Sequence, residues 1–349
     1  MYLRTTTIII ILLSLITTSC ISLPGTGSRF PTPIPARTIT SNSLDIREVW
    51  RRRVGENFGG GSWYSVPLAA FSADLVILPI SGQDETQLVA LRAKDGEQIW
   101  TRTLKNPEFP GVPLAVDSII ADTRRVYAAV PFEILAFDLR DGKPVWDSRE
   151  LPSHTGYVIF PLLQGHILQV YSHPKTTRVY NVNIDNGQIE SVDEYAEGLV
   201  LKTSTAEYLN ADKGFLRVDS QTGQVLWQAP IKDRVWTWPT IVSPDLMLFT
   251  AGYYPMSIGA INASSGQILW QTPFDRVSSL VAVNGRVYSL QRDAILVAQD
   301  ARTGRQVGLV QFGDHPFSTS IMGYWVLAAP SMLFAYLVDS QELVAFSMR

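Results

Sequence analysis

The sequence predicts an all-β protein, a seven-bladed β-propeller of four-stranded blades whose ring is closed by pairing of the N- and C-terminal strands. Three observations support this prediction. One phrase, two short apolar runs separated by a polar turn that ends in glycine, occurs six times. Its glycines recur every 36 to 46 residues, which is the length of a four-stranded blade. The two ends of the chain carry complementary halves of the same phrase.

The phrase itself describes a β-hairpin. Its alternating apolar residues predict a half-buried strand, and the Asp, Asn, Thr or Ser before each glycine is typical of a tight turn with positive φ. The six turn glycines are Gly96, Gly142, Gly187, Gly223, Gly266 and Gly304. Four copies carry a tryptophan four residues after the glycine, at Trp100, Trp146, Trp227 and Trp270. The third and sixth copies have Ser191 and Gly308 instead.

The two chain ends complete the blade count. Residues 45–50 read as the back half of a repeat, with Trp50 at the tryptophan position, and residues 343–349 read as a front half. Pairing the two halves would close the ring and remove exposed sheet edges. Six whole repeats and one split repeat give seven blades. The alternative is eight, with a degenerate blade hidden in the long interval between Trp50 and Gly96.

The repeat resembles that of the PQQ-like, quinoprotein-type β-propeller family, whose blades carry the pattern A-x-D-x-x-T-G-x-x-x-W. The resemblance extends over roughly residues 45 to 349. It implies that the tryptophans dock between neighbouring blades, with weaker contacts at Ser191 and Gly308. These docking residues are Trp50, Trp100, Trp146, Trp227 and Trp270. Members of this family more often have eight blades, which keeps that alternative open.

The first twenty residues read as an export signal. Arg4 is followed by an apolar run at residues 8–16, by small residues and by Cys20, the only cysteine of the chain. This order is typical of a cleaved signal, and the run is shorter than the roughly 20 residues of a transmembrane helix. A cysteine in this place resembles the bacterial lipoprotein signal and implies lipidation of Cys20, although Thr17 departs from the Leu, Val or Ile of that pattern. Ordinary secretion and an uncleaved anchor remain alternatives.

The predicted domain order is therefore a signal peptide at residues 1–20, a tether at 21–44 and the propeller at 45–349. The tether is rich in Ser, Thr and Pro, and such a segment buries too little apolar surface to order itself. This layout predicts a lipid-anchored protein on the extracytoplasmic face of a bacterial membrane.

Composition and spacing disfavour several functions. A net charge of −3 and only 17% charged residues argue against a nucleic-acid partner, which would require a basic face. The four histidines show no metal-ligand spacing, so neither a metal nor a cofactor is expected. A quinoprotein dehydrogenase is the least favoured reading, because such enzymes resemble this chain in the repeat but typically add an adjacent cysteine pair.

The connections that lead into each blade supply candidate binding residues, since in PQQ-type propellers they line one mouth of the central channel. An aromatic mouth can stack a planar ligand or the side chains of a partner. The alternative is that these aromatic residues simply pack between blades. The candidates are Trp63, Tyr64, His154, Tyr157, Trp236, Trp238, Arg276 and His315.

We therefore expect a non-enzymatic binding or scaffold propeller, a monomer with an unidentified protein partner. The resembling family includes an outer-membrane assembly lipoprotein with the same order of anchor, tether and propeller. The alternative function is a propeller that senses sugars or other ligands through Trp63, Trp236 and Trp238. Because propellers host many unrelated activities, the fold cannot choose between them.

Overall fold

A computed structural model describes most of the chain from residue 39 onward. The described residues are 39–55, 69–82, 84–106, 109–130, 133–148, 158–172, 177–195, 198–211, 214–231, 235, 240–252, 256–274, 280–291, 295–312, 325–337 and 340–348. They form 29 strands and, within these ranges, no helix. Consequently none of the described segments is an apolar helix of membrane-spanning length.

The strands fall into seven sheets, which we number as blades. The first two strands of the chain, β1 (Ile39–Asn42) and β2 (Ile46–Arg53), belong to blades 6 and 7. Blade 1 contains β3 (Ala70–Ser72), β4 (Leu75–Ser81), β5 (Thr86–Arg92) and β6 (Gln98–Leu104). Blade 2 contains β7 (Ser118–Ala121), β8 (Arg125–Val130), β9 (Glu133–Asp138) and β10 (Pro144–Ser148). Blade 3 contains β11 (Val158–Gln164), β12 (Ile167–Ser172), β13 (Thr177–Asn183) and β14 (Ile189–Tyr195).

The remaining blades continue the same pattern. Blade 4 contains β15 (Leu199–Lys202), β16 (Ala206–Ala211), β17 (Gly214–Asp219) and β18 (Val225–Ala229). Blade 5 contains β19 (Thr240–Ser243), β20 (Leu246–Ala251), β21 (Met256–Ile261) and β22 (Ile268–Phe274). Blade 6 contains β23 (Val281–Val283), β24 (Arg286–Gln291), β25 (Ile295–Asp300) and β26 (Gln306–Phe312), with β1 added beside β26. Blade 7 contains β27 (Trp325–Ala329), β28 (Met332–Leu337) and β29 (Glu342–Met348), with β2 as its outer strand.

The predicted seven-bladed propeller is confirmed. Every blade is an antiparallel sheet, and in blades 1 to 5 its four strands are adjacent in the order in which they occur along the chain. The eight-bladed alternative is wrong, because the described strands between Trp50 and Gly96 are β3, β4 and β5 of a single blade. First strands of several neighbouring blades contact each other, among them β27 and β3, where the last blade meets the first.

The ring closes in blade 7, as the sequence predicted. Strand β2 pairs with β29 from Ile46 opposite Met348 to Arg53 opposite Glu342. Three nearly buried charged side chains lie within this pairing. The guanidinium of Arg51 contacts Glu48 Oε2 at 2.9 Å and Glu342 Oε2 at 3.0 Å. The closure therefore joins residues almost 300 positions apart through backbone pairing and an ion triad.

The second strand of each blade carries much of the core. In β8 the residues from Val126 to Val130 are fully buried, because both edges of a second strand are paired and both faces are covered by neighbouring blades. The apolar run at residues 75–78 lies in such a second strand, β4. The first strands of blades 1 and 6, β3 and β23, have three residues each.

Candidate functional site

The eight residues predicted to line the mouth lie outside the described residues, as does Cys20. The aromatic mouth and the lipidation site therefore stay predictions. The described residues instead define the interfaces between blades in detail, and two of those interfaces lack the tryptophan that the other five share.

The hairpin turn of the repeat is the part of a blade that contacts the outer strand of the preceding blade. The turn glycine has φ between +67° and +75° in all six repeats, a conformation that side chains disfavour. Its amide donates to the carbonyl four residues earlier, as from Gly142 to Asp138 at 2.9 Å. In five of the six repeats that earlier residue is Asp or Asn, whose side chain also accepts a hydrogen bond from the amide two residues on, such as Arg140 to Asp138 at 2.9 Å. This Asx-type turn explains why the short polar phrase forms the same hairpin each time.

Five tryptophans cross from one blade to the turn of the next. In each case the indole N–H donates to the carbonyl three residues before the turn glycine. The pairs are Trp50 with Ala93 at 2.6 Å, Trp100 with Leu139 at 2.9 Å, Trp146 with Ile184 at 2.8 Å, Trp227 with Ala263 at 2.9 Å and Trp270 with Ala301 at 3.0 Å.

The same five tryptophans lie against the turn glycine itself. A Cβ added at Gly142 would lie 2.6 Å from the ring of Trp100, and one at Gly304 would lie 2.5 Å from the ring of Trp270. Glycine is therefore required twice, for its positive φ and for the close approach of the ring. We call the combination of turn glycine and preceding carbonyl the tryptophan slot.

Two arginines reinforce neighbouring slots. Arg52 Nη1 donates to the Gly96 carbonyl at 2.7 Å, and Arg102 Nε donates to the Gly142 carbonyl at 2.8 Å. Each arginine stands two residues after the tryptophan that fills the slot. The interfaces on either side of blade 1 are thus held at two points.

At the interface between blades 6 and 7, Gly308 takes the tryptophan position, and another side chain fills the space. A Cβ at Gly308 would lie 2.4 Å from Leu44 Cδ2, and Leu44 is buried. Leu44 follows β1, which pairs antiparallel with β26. The chain itself therefore covers this position with an added strand and an apolar side chain.

The interface between blades 3 and 4 is polar where the others are mostly apolar. Across each blade, the residue at the tryptophan position is paired with one residue of the third strand, which is in turn paired with one residue of the second strand. In most blades these two residues are apolar, as are Ala90 and Ile77 in the row of Trp100. Blade 3 has Gln169, Asn181 and Ser191 in this row. Gln169 Nε2 donates to Asn181 Oδ1 at 3.1 Å, and Asn181 Nδ2 donates to Ser191 Oγ at 2.8 Å.

Hydrogen bonds to one residue of blade 4 tie this polar row across the interface. The Lys202 amide donates to the Tyr171 hydroxyl at 3.0 Å, and Gln164 Nε2 donates to the Lys202 carbonyl at 3.0 Å. The Lys202 ammonium contacts Asp193 at 3.0 Å and also the hydroxyl of Tyr195. These bonds lie on the blade 3 side of the tryptophan slot and do not fill it.

The slot at Gly223 in blade 4 is open in the described part of the protein. Gly223 has φ +69°, and no atom of the described residues lies within 4 Å of the position of an added Cβ. Ser191 stands where the tryptophan would be. The serine is evident in the sequence, whereas the polar row becomes visible only when the strands are paired.

One buried carboxyl group stands apart from the interfaces. Asp117, 3% exposed, directly precedes β7, and burial raises the pKa of its carboxyl to about 7. It follows a connection whose Phe109 is 60% exposed. Among the described residues, no group of three or more His, Cys, Asp or Glu side chains is arranged to hold a metal ion.

Comparison with known proteins gives a consistent family match. Residues 40–196 and 212–331, more than half of the chain, match the family model described as outer membrane protein assembly factor BamB. The protein of that name from Alkalilimnicola ehrlichii is 28% identical over 156 residues, which cover 43% of this chain. That match spans only 38% of the length of this relative.

Solved structures share the fold at low sequence identity. The crystal structure of BamB from Moraxella catarrhalis has a TM-score of 0.54 at 13% identity and covers 87% of this chain and 98% of that one. A chain from the crystal structure of a mitotic checkpoint complex has a TM-score of 0.61 at 13% identity and covers 91% of this chain and 99% of that one. At such identity these similarities show the fold alone.

Proposed function

Because this chain belongs to the family described as outer membrane protein assembly factor BamB, we propose that it is a non-enzymatic scaffold that binds other proteins in the assembly of outer-membrane proteins. A lipid on Cys20 holds it at the extracytoplasmic face of the membrane, and the part of the predicted tether that precedes β1 links that lipid to the propeller, since residues 39–44 belong to blade 6. The observation that carries the proposal is the extent of the family match, which reaches from the first strand to the last blade.

The interfaces support a scaffold role. Five tryptophan slots, two arginine bonds and the closing ion triad fix the blades relative to one another. A rigid ring presents its outer strands and connections in constant positions, and this lowers the entropic cost of binding a partner. Exposed apolar side chains such as Phe109 and Val225 provide contacts of the kind that protein interfaces use.

The anchor is tested by labelling. The chain is expressed in its source bacterium with labelled palmitate, and wild type is compared with Cys20→Ala. We expect label and membrane association in the wild type and loss of both in the variant. Wild-type protein that is unlabelled and soluble after export would contradict the anchor.

Binding is tested by photo-cross-linking in the same cells. Benzoylphenylalanine replaces one exposed apolar residue at a time, at Val49 in blade 7, Phe109 before blade 2 and Val192 in blade 3. We expect discrete cross-links to proteins of the outer-membrane assembly machinery at one or more positions, and their loss in Cys20→Ala. The absence of such cross-links at all three positions would contradict the scaffold proposal.

A further inference from the structure

We propose that the open tryptophan slot at Gly223 is a binding site for an aromatic side chain, best an indole, that a partner protein inserts between blades 3 and 4. The proposal rests on the scaffold function and deepens it, because it names the chemistry by which a partner is held.

The receiving half of the slot in blade 4 is built like the occupied ones. Gly223 has the same positive φ as Gly142 and Gly266, and its amide donates to the Asp219 carbonyl at 3.0 Å, as in the other turns. Ser220 takes the place of Leu139 and Ala263, whose carbonyls accept an indole N–H. Within the described ranges, the Ser220 carbonyl accepts no hydrogen bond, so the acceptor remains available.

Blade 3 lacks the tryptophan that would fill this slot. Ser191 replaces the tryptophan, and its hydroxyl accepts a hydrogen bond from Asn181 rather than reaching the slot. The row of Gln169, Asn181 and Ser191 is held by its own hydrogen bonds. Blade 3 therefore presents a polar wall opposite the slot, and none of its described side chains lies over Gly223.

Blade 6 shows how an added segment completes a blade that lacks its tryptophan. There β1 pairs with the outer strand β26, and Leu44, two residues after β1, covers Gly308. Blade 3 is the other blade without the tryptophan, and its outer strand β14 has no added strand among the described residues. The segment that completes blade 3 is thus expected from another polypeptide, an extended strand that pairs with β14, as in β-strand addition.

The side chains near the turn and the carbonyl acceptor of the slot determine which type of partner side chain can bind there. Val225 and Leu226 follow Gly223 by two and three residues and are 52% and 46% exposed, so exposed apolar side chains stand close in sequence to the turn. In the five occupied slots a flat ring covers the glycine and its N–H meets the carbonyl. An indole meets both demands, whereas phenylalanine lacks the donor.

The first experiment tests whether a small indole probe binds in the slot. Binding of 5-fluoroindole is followed by broadening of its fluorine resonance with wild type, Ser191→Trp and Glu190→Trp. Ser191→Trp places the ring of the chain itself in the slot, and Glu190→Trp is the matched control at the neighbouring exposed position. We expect broadening with wild type and Glu190→Trp, its loss with Ser191→Trp, and a rise of a few degrees in the melting temperature of Ser191→Trp. Equal broadening with all three proteins would overturn the proposal.

A second measurement uses only the wild-type protein and therefore does not depend on whether a variant folds. N-acetyltryptophanamide is titrated into the isotope-labelled wild type. The amide resonance of Gly223 should shift, while those of Gly266 and Gly304, whose slots hold Trp227 and Trp270, should not. A Gly223 resonance that stays in place at saturating probe would overturn the proposal.

Cross-linking then separates this proposal from the scaffold function. Benzoylphenylalanine at Val192 should cross-link to an assembly-machinery protein, and adding Ser191→Trp should reduce that product at least tenfold without changing products at Val49 or Phe109. Products at Val49 or Phe109 but not at Val192 would overturn the aromatic site and leave the scaffold function standing. Absence of products at all three positions would contradict both.

Discussion

At the scale of single residues, the carboxyl group of Asp117 is buried in a site that disfavours its charged form. Burial favours its neutral form and raises its pKa to about 7, above the ordinary value of 3.8. The folded state therefore binds a proton more tightly than the unfolded chain. The stabilisation is present below about pH 3.8 and is lost as the pH rises through 7.

Replacing this carboxyl with a neutral amide should remove the pH-dependent loss. We expect Asp117→Asn to be more stable than wild type at pH 8 by up to about 4 kcal/mol, and nearly equal to it at pH 4. Urea unfolding at the two pH values measures the difference. Asp95→Asn is the control: a hydrogen bond from the Glu97 amide lowers the pKa of Asp95, so this variant should gain nothing at pH 8. Equal stability of Asp117→Asn and wild type at pH 8 would contradict the assignment.

At the scale of the hairpin, two glycines with the same backbone conformation differ in what lies above them. Gly142 and Gly223 have φ of +67° and +69°. The ring of Trp100 covers the first, whereas the second is open among the described residues. The pair therefore separates the backbone requirement for glycine from the packing requirement.

Alanine at these two positions should have unequal effects. Gly223→Ala should cost about 1 kcal/mol, the usual cost of the left-handed conformation for a residue with a Cβ. Gly142→Ala should cost roughly 1–3 kcal/mol more, because its Cβ would overlap Trp100 and force the core to shift. Thermal and urea unfolding of both variants measure the difference. Equal losses would mean that the ring contributes nothing to the requirement for glycine.

The blade as an element was largely predictable. Turn residues, alternating apolar residues and a regular period are local features of each repeat, and they gave the hairpins and the number of blades. In the structure, an innermost strand has one edge at the channel and can be short, whereas the second strand is covered on all sides.

At the scale of the whole molecule, the ring depends on one closure. Strands β2 and β29 join the two ends of the chain, and Arg51 compensates the nearly buried carboxylates of Glu48 and Glu342. If the guanidinium is removed, both carboxylates stay in a poorly solvated site without a countercharge.

Loss of this arginine should therefore weaken the whole ring. We expect Arg51→Ala to lower the free energy of unfolding by about 3–5 kcal/mol, whereas Arg53→Ala, two residues on in the same strand and exposed, should change it by less than about 0.5 kcal/mol. Urea unfolding followed by circular dichroism measures both. Similar midpoints for the two variants would show that the triad does not hold the closure.

The sequence by itself determined the repeat, the seven blades and which blades lack a tryptophan, because each of these depends on residues close together in a repeat. It also indicated the pairing of the chain ends, because each end carries one half of the repeat. The proposed mouth residues and Cys20 lie outside the described residues and remain predictions. Only the tertiary structure decided that Leu44 covers Gly308, that Gln169 and Asn181 align with Ser191, and that none of the described tryptophans lies over Gly223. These relations depend on strand register and on neighbouring blades, which bring together residues that no local pattern connects.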